Sequence, residues 1–183
     1  HVGAGIEGAV EGRRFGALVP LILDQYHHPQ TSEVSIIAAN TGDNVGRKTG
    51  KPAGAYWHAD LSYDANPADA IMLYSLEIPS DGGDTEFINA VAAYDALPQV
   101  TKDRIDGLQA IHRYGHHGGK SIVDLTDTQR DAHPDVVHAV VRTHPKTGNK
   151  ALFVSPGVTV CIEGMAADES DALLAELFEH QEK

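Results

Sequence analysis

Apolar residues in this chain come in short runs, and turn-forming residues cut each run off before it reaches helical length. EVSIIAA (33–39), DAIMLYSLE (69–77), LQAIHRY (108–114), HAVVRTH (138–144) and KALFVS (150–155) are rich in β-branched and aromatic side chains. Each reads as a strand. HPKTGNK (144–150) puts Pro and Gly between the last two, which predicts a hairpin. PSDGGD (79–84) makes a second sharp connection. A chain punctuated this way satisfies its backbone by pairing strands rather than by bundling helices. The 18 glycines and the low aromatic content of 6% agree, while a hydrophobic share of 42% supplies one core for a single domain over 1–183.

Helices are inserted at a few places. NAVAAYDALP (89–98) offers Asn89 as an N-cap, and Pro98 either ends that helix or opens a second. DESDALLAELFEHQEK (168–183) aligns Leu173, Leu174, Leu177 and Phe178 on one stripe, with acids at its start and Lys183 at its end. TDTQ, from Thr126 to Gln129, has the spacing of a capping box. Many short strands with inserted helices predict a mainly β fold, a sandwich or jelly roll with helical decoration.

Charge narrows the partners. The net charge is -12, and the densest basic stretch is only GRKTGK (46–51). Neither nucleic acid nor an anionic membrane surface suits such a chain. The longest apolar runs fall far short of the roughly 20 residues of a membrane span. The opening HVGAGIEGAVEG has neither the basic nor the apolar region of a signal peptide. The single cysteine, Cys161, lies in the apolar run VTVCI. It reads as a buried, inert thiol in a reducing, cytoplasmic setting. A homo-oligomer stays open.

The chemistry gathers in AYWHADLSYD (55–64). On a strand, residues i and i+2 face the same way, so His58 and Asp60 would project side by side, with Ala59 turned away. They would be adjacent ligands for a divalent metal. With one distant His they would form the facial triad of a non-haem Fe(II) oxygenase, leaving positions open for a co-substrate and O2. By spacing alone, an exposed His and Asp on a strand edge fit as well. A zinc hydrolase that recruits a local His is a third reading, without an H-E-x-x-H motif to support it.

The surroundings add a resemblance. WHADLSYDANPADAIMLYSLEIPSDGGDTEFINAVAAYDALP (57–98) resembles the taurine dioxygenase and 2,4-dichlorophenoxyacetate dioxygenase (TauD/TfdA) family of Fe(II)/2-oxoglutarate enzymes, through W-H-x-D, GGDTEF and AAYDALP. RRFGAL (13–18), VVRTHPKTGNKALFVSPGVTVCIEGM (140–165) and ESDALLAELFEH (169–180) are similar to further segments of that family. The resemblance implies a double-stranded β-helix, or jelly roll. It implies iron on His58 and Asp60, and Thr85 near the carboxylate of 2-oxoglutarate. The implied reaction hydroxylates a small organic acid with O2, releasing succinate and CO2. The substrate class is a sulfonate, sulfate ester, aryloxyalkanoate or other carboxylate. KPAGAY (51–56) is small and apolar where the taurine enzyme is polar, which argues against taurine.

The sequence also departs from the family. The family's second iron-binding His lies in a W-D-N-R-x-x-x-H motif after the late helix, with the 2-oxoglutarate-binding Arg further on. Neither is present here. The expectation is a jelly roll incomplete at its C-terminal side, whose third ligand follows Lys183. The rival reading is a non-catalytic jelly-roll protein that binds a metal or a partner. Trp57, Tyr63, His116 and His117 are the candidates for a substrate pocket. Arg113 and Lys120 lie near enough in RYGHHGGKS to meet an anion. The plainer alternatives are core packing for the aromatics and a solvent loop for the histidines. His27, His28, His133, His138 and His144 read as loop or strand residues, and His180 as solvent-facing.

Overall fold

The computed structural model describes residues 9–20, 22, 27–36, 56–75, 78, 80–81, 84–117, 120–121 and 125–183. The chain divides into two units, one built from 1–53 and 68–83, the other from 54–67 and 84–183. Among the described residues there are nine short strands and five helices.

The first unit holds a helical turn, α1 (9–12), and an antiparallel pair, β1 (His27–His28) and β2 (Thr31–Ser35). Arg13 reaches Glu33 at 2.8 Å, and the Thr31 hydroxyl donates to the same carboxylate at 2.7 Å. These donors, the threonine first, hold Glu33 down to about 2. The strand expected over 69–77 is not formed in the described part. Residues 70–75 pair with no strand, and Ile71, Met72, Leu73 and Tyr74 are exposed. β-propensity without a partner ladder does not make a strand.

The second unit follows the sequence more closely. Helix α2 (Ala90–Ala96) starts at Asn89, whose side chain accepts from the Val91 and Ala92 amides. Pro98 opens α3 (Gln99–Ile105). Next come β3 (Gln109–His112), β4 (His116–His117), β5 (Lys120–Ser121) and α4 (Asp127–Ala132). The Thr126–Gln129 capping box at the start of α4 is complete. β6 (Val136–Ala139), β7 (Val141–Thr143), β8 (Lys150–Leu152), β9 (Thr159–Ile162) and α5 (Ala167–Gln181) finish the chain.

β3 is the middle of a three-stranded antiparallel sheet, ordered β6-β3-β9. β7 and β8 form the expected hairpin, and Gly148 in its turn has a φ of 74° that favours glycine. The run 138–144 is not one strand. It breaks at Val140, whose amide bonds Leu108 and whose carbonyl bonds Phe153, so the chain leaves one sheet for the other.

The core lies between these sheets and α5. Leu173, Leu174 and Leu177 are buried against Leu97, Ile105, Ala110, Val140, Leu152, Val154 and Ile162, with Phe178 partly covered. Each such leucine contributes about 1.5–3 kcal/mol of burial. The Ser170 hydroxyl accepts from the Ile162 amide at 2.8 Å, which ties the start of α5 to β9. At the other end, His180 faces inward rather than to solvent. Its Nε2 meets the Ala93 carbonyl at 2.8 Å, because α2 packs alongside α5 and leaves that acceptor within reach.

Candidate metal centre

His58 and Asp60 do not sit on a strand. Residues 57–59 pair with no strand, and a turn begins at Asp60. The Ser62 amide bonds the Ala59 carbonyl at 3.2 Å and the Asp64 amide bonds the Leu61 carbonyl at 2.9 Å. The Ser62 hydroxyl donates to Ala59 at 2.7 Å. Leu61 has a φ of 56°, a left-handed conformation costing about 1–2 kcal/mol for a residue with a Cβ. Burial of Leu61, Ser62 and Tyr63 offsets it. Turn geometry replaces strand alternation, yet the two side chains still meet: His58 Nε2 lies 3.0 Å from Asp60 Oδ1.

The other ring nitrogen decides what that contact means. His58 Nδ1 is 2.8 Å from the Tyr56 carbonyl, which only accepts, so the hydrogen-bond network assigns a proton to Nδ1. Nε2 then turns its lone pair toward a carboxylate. Two acceptors face each other unless a cation joins them. In the metal-free protein a second proton can play that part, and the pKa of His58 is raised, first by the Asp60 hydrogen bond, then, against the opposing effect of burial, by the Tyr56 carbonyl. A divalent metal satisfies the same two donors. The pair could therefore hold a divalent metal as two adjacent ligands. Among the described residues no group of three or more His, Cys, Asp or Glu is arranged to hold a metal.

Gly157 closes the site from the loop between β8 and β9. A Cβ there would lie 3.1 Å from His58 Cβ and would collide with the Tyr56 ring. A cavity of about 190 Å3 opens beside His58. Trp57, Phe87, Leu152 and Phe153 give it an apolar wall, and Glu86 and Ser155 add polar groups. Thr85 is exposed and does not line it, although its neighbours Glu86 and Phe87 do. Of Trp57, Tyr63 and His116, Trp57 lines this cavity. Tyr63 is buried and packs edge-on against Tyr114 at 4.6 Å. Burial pushes its phenol well up. His116 is buried in β4 opposite Ser121, and His117 pairs with Lys120. Arg113 is engaged by Asp135 through two bonds of 2.7 and 2.6 Å, so its charge is already matched.

Behind the turn lies a cluster that sequence reading missed. His112 is 1% exposed, and its ring is 5.2 Å from His138 and 5.6 Å from Phe153. Burial, and then the neighbouring His138, lower its pKa to about 4. The signal available was the alternation in β3, where Ala110 and His112 share the buried face.

The model of the taurine catabolism dioxygenase TauD, TfdA family matches residues 11–183. The chain belongs to this family. Among its TauD/TfdA relatives, the alpha-ketoglutarate-dependent 2,4-dichlorophenoxyacetate dioxygenase of Cupriavidus pinatubonensis is 39% identical over 133 residues, covering 72% of this chain and 46% of that protein. A taurine dioxygenase from Burkholderia xenovorans has a crystal structure that matches with a TM-score of 0.58 and 35% identity, over 69% of this chain and 41% of that one. The structure of AAD-2 in complex with Mn(II) and N-oxalylglycine matches with a TM-score of 0.58 and 32% identity, over 69% and 47%. The matched segments thus cover less than half of each of these proteins.

Proposed function

We propose that this chain forms the iron-binding part of an Fe(II)- and 2-oxoglutarate-dependent dioxygenase acting on a small organic acid. The observation that carries the reading is the His58–Asp60 pair, 3.0 Å apart with its ring tautomer set by Tyr56, in a chain of the TauD/TfdA family. His58 Nε2 and Asp60 Oδ1 are two of the iron ligands in this reading. In the same reading a third protein ligand, and an Arg for 2-oxoglutarate, complete the site. Iron held there, with 2-oxoglutarate and O2, supplies the oxidation that hydroxylates the substrate and yields succinate and CO2.

The chain's own residues do the rest. The Tyr56 carbonyl orients the imidazole, and Gly157 lets the loop after β8 close over His58. Trp57, Phe87 and Phe153 keep the adjoining cavity apolar. Thr85 donates to the 2-oxoglutarate carboxylate in this reading, a role that needs its exposed hydroxyl to turn toward the pair. The relatives named for taurine and for 2,4-dichlorophenoxyacetate favour an organic acid, a sulfonate or an aryloxyalkanoate, as substrate. N-oxalylglycine has the chelating oxalyl group of 2-oxoglutarate, so its presence with Mn(II) in AAD-2 supports the co-substrate. A single jelly-roll domain in the cytoplasm completes the proposal. Among the described residues no helix is long and apolar enough to cross a membrane.

One observation favours the rival, a non-catalytic metal- or partner-binding protein: only two ligands meet among the described residues. Anaerobic addition of Fe(II) and 2-oxoglutarate to the protein from its complete reading frame separates the two. The enzyme reading expects a visible iron-to-oxo-acid charge-transfer band, lost in His58→Ala, and succinate release on adding O2. Metal binding without that band, and without succinate, leaves the rival.

A further inference from the structure

The turn that carries Asp60 is held from behind by one side chain distant in sequence. His138 Nε2 donates to the Asp64 carbonyl at 2.9 Å. The Asp64 amide bonds Leu61, and the Ser62 amide bonds Ala59, so the turn is short and continuous from the ligand pair to this anchor. A left-handed Leu61 sits inside it. Such a turn keeps its shape only when something outside fixes it.

His138 is itself fixed. It stands on β6, an edge strand, opposite Ala110 of β3, the central strand of the three-stranded sheet. Its ring lies edge-on to His112 at 5.2 Å and to Phe153 at 5.3 Å. The Arg142 guanidinium covers the Phe153 ring at 4.4 Å. Phe153 lines the cavity beside His58. The cluster therefore touches both the back of the turn and the wall of the cavity.

We propose that His138 is a positioning residue for the metal centre, setting the direction of Asp60 through the Asp64 carbonyl. This rests on the reading of His58 and Asp60 as metal ligands. It assigns His138 no contact with metal or substrate. The N–H at Nε2 matters for the site, and the ring matters for the sheet. Phenylalanine keeps a ring and removes the donor. Glutamine keeps a donor near the Nε2 position and removes the ring.

The test uses Mn(II) alone as probe, followed by calorimetry, with His58→Ala as reference. His138→Phe should weaken Mn(II) binding by about three- to tenfold, the scale of one lost hydrogen bond, with a melting temperature near that of the wild type. His138→Gln should restore most of the affinity. Hydrogen exchange, read by mass spectrometry, should quicken across 59–64 in His138→Phe and stay unchanged in α5. Unaltered Mn(II) affinity in His138→Phe overturns the inference while leaving the ligands intact. Equal losses in both variants, matched by equal falls in melting temperature, also overturn it, since packing alone would then explain them. If the wild-type protein binds no Mn(II) in a His58-dependent way, the ligand reading falls. Exchange across 59–64 then decides the positioning by itself, and an unchanged rate overturns it.

Discussion

Two histidines in the second unit show how differently one side chain behaves on the two sides of a short turn. His58, at the front, is partly exposed and faces a carboxylate. His112, behind, is buried among His138 and Phe153. The carboxylate raises the pKa of the first, and the buried setting lowers the second to about 4. A partner of opposite charge makes imidazole a ready cation site, whereas desolvation makes it a neutral packing element. Exposure and partner, rather than residue type, separate the candidate ligand from the filler.

The largest test of that contrast removes each histidine in turn. His58→Ala should abolish Mn(II) binding measured by calorimetry, while His112→Leu should leave binding detectable. Equal loss in both would erase the distinction. The second test is acid unfolding. Below about pH 6.5 the unfolded chain protonates His112, and the folded protein does not do so until about pH 4. Stability contributed by the neutral ring is therefore present above pH 6.5 and lost as pH falls through that window, by about 3 kcal/mol in all. Urea unfolding at pH 7 and pH 4.5 should show a loss roughly 2–3 kcal/mol greater in the wild type than in His112→Leu. Parallel losses would mean that the ring titrates normally.

A third change sharpens the front side alone. Gly157→Ala adds a Cβ where Tyr56 and His58 already sit, an overpacking of about 1–3 kcal/mol. Thermal melts should show it, and Mn(II) affinity should fall with it. A variant of unchanged affinity would mean that His58 has slack. The smallest effect is expected from Asp60→Asn in the metal-free protein. The pair is partly exposed and worth at most about 1 kcal/mol. The pKa of His58, followed by NMR of its ring protons, should drop back toward 6.5. No movement would assign the shift to the Tyr56 carbonyl instead.

What was legible in the sequence was local. The Asn89 cap, the Thr126 capping box, the Gly148 turn and the leucine stripe of α5 each rest on residues within a turn or two of one another. What was not legible depended on distant partners. The β-rich run at 69–77 meets no ladder in its described part. The run at 138–144 splits at Val140 because β3 claims one half and β8 the other. The W-H-x-D motif located the candidate ligands, but their approach comes from a turn with a left-handed leucine, which no spacing rule announces. His112 and His138 looked like any other histidines, since their importance lies in what surrounds them.

The central place of β3 has a consequence for how the protein is made. Its two partners both follow it along the chain, with Ala110 opposite His138 on one side and Ile162 on the other. A ribosome adding about 5–20 residues per second needs roughly 3–10 s to travel from Ala110 to Ile162. During that interval β3 has no second neighbour, and its buried face, with His112, is open to chaperones and to other nascent chains. The β7–β8 hairpin closes over residues 144–149 alone and needs no such wait. Stalled nascent chains in which residue 150, and then residue 175, has just cleared the exit tunnel should differ sharply in protease resistance around β3. Equal resistance would show that β6 suffices to hold the strand while the rest is still being synthesised.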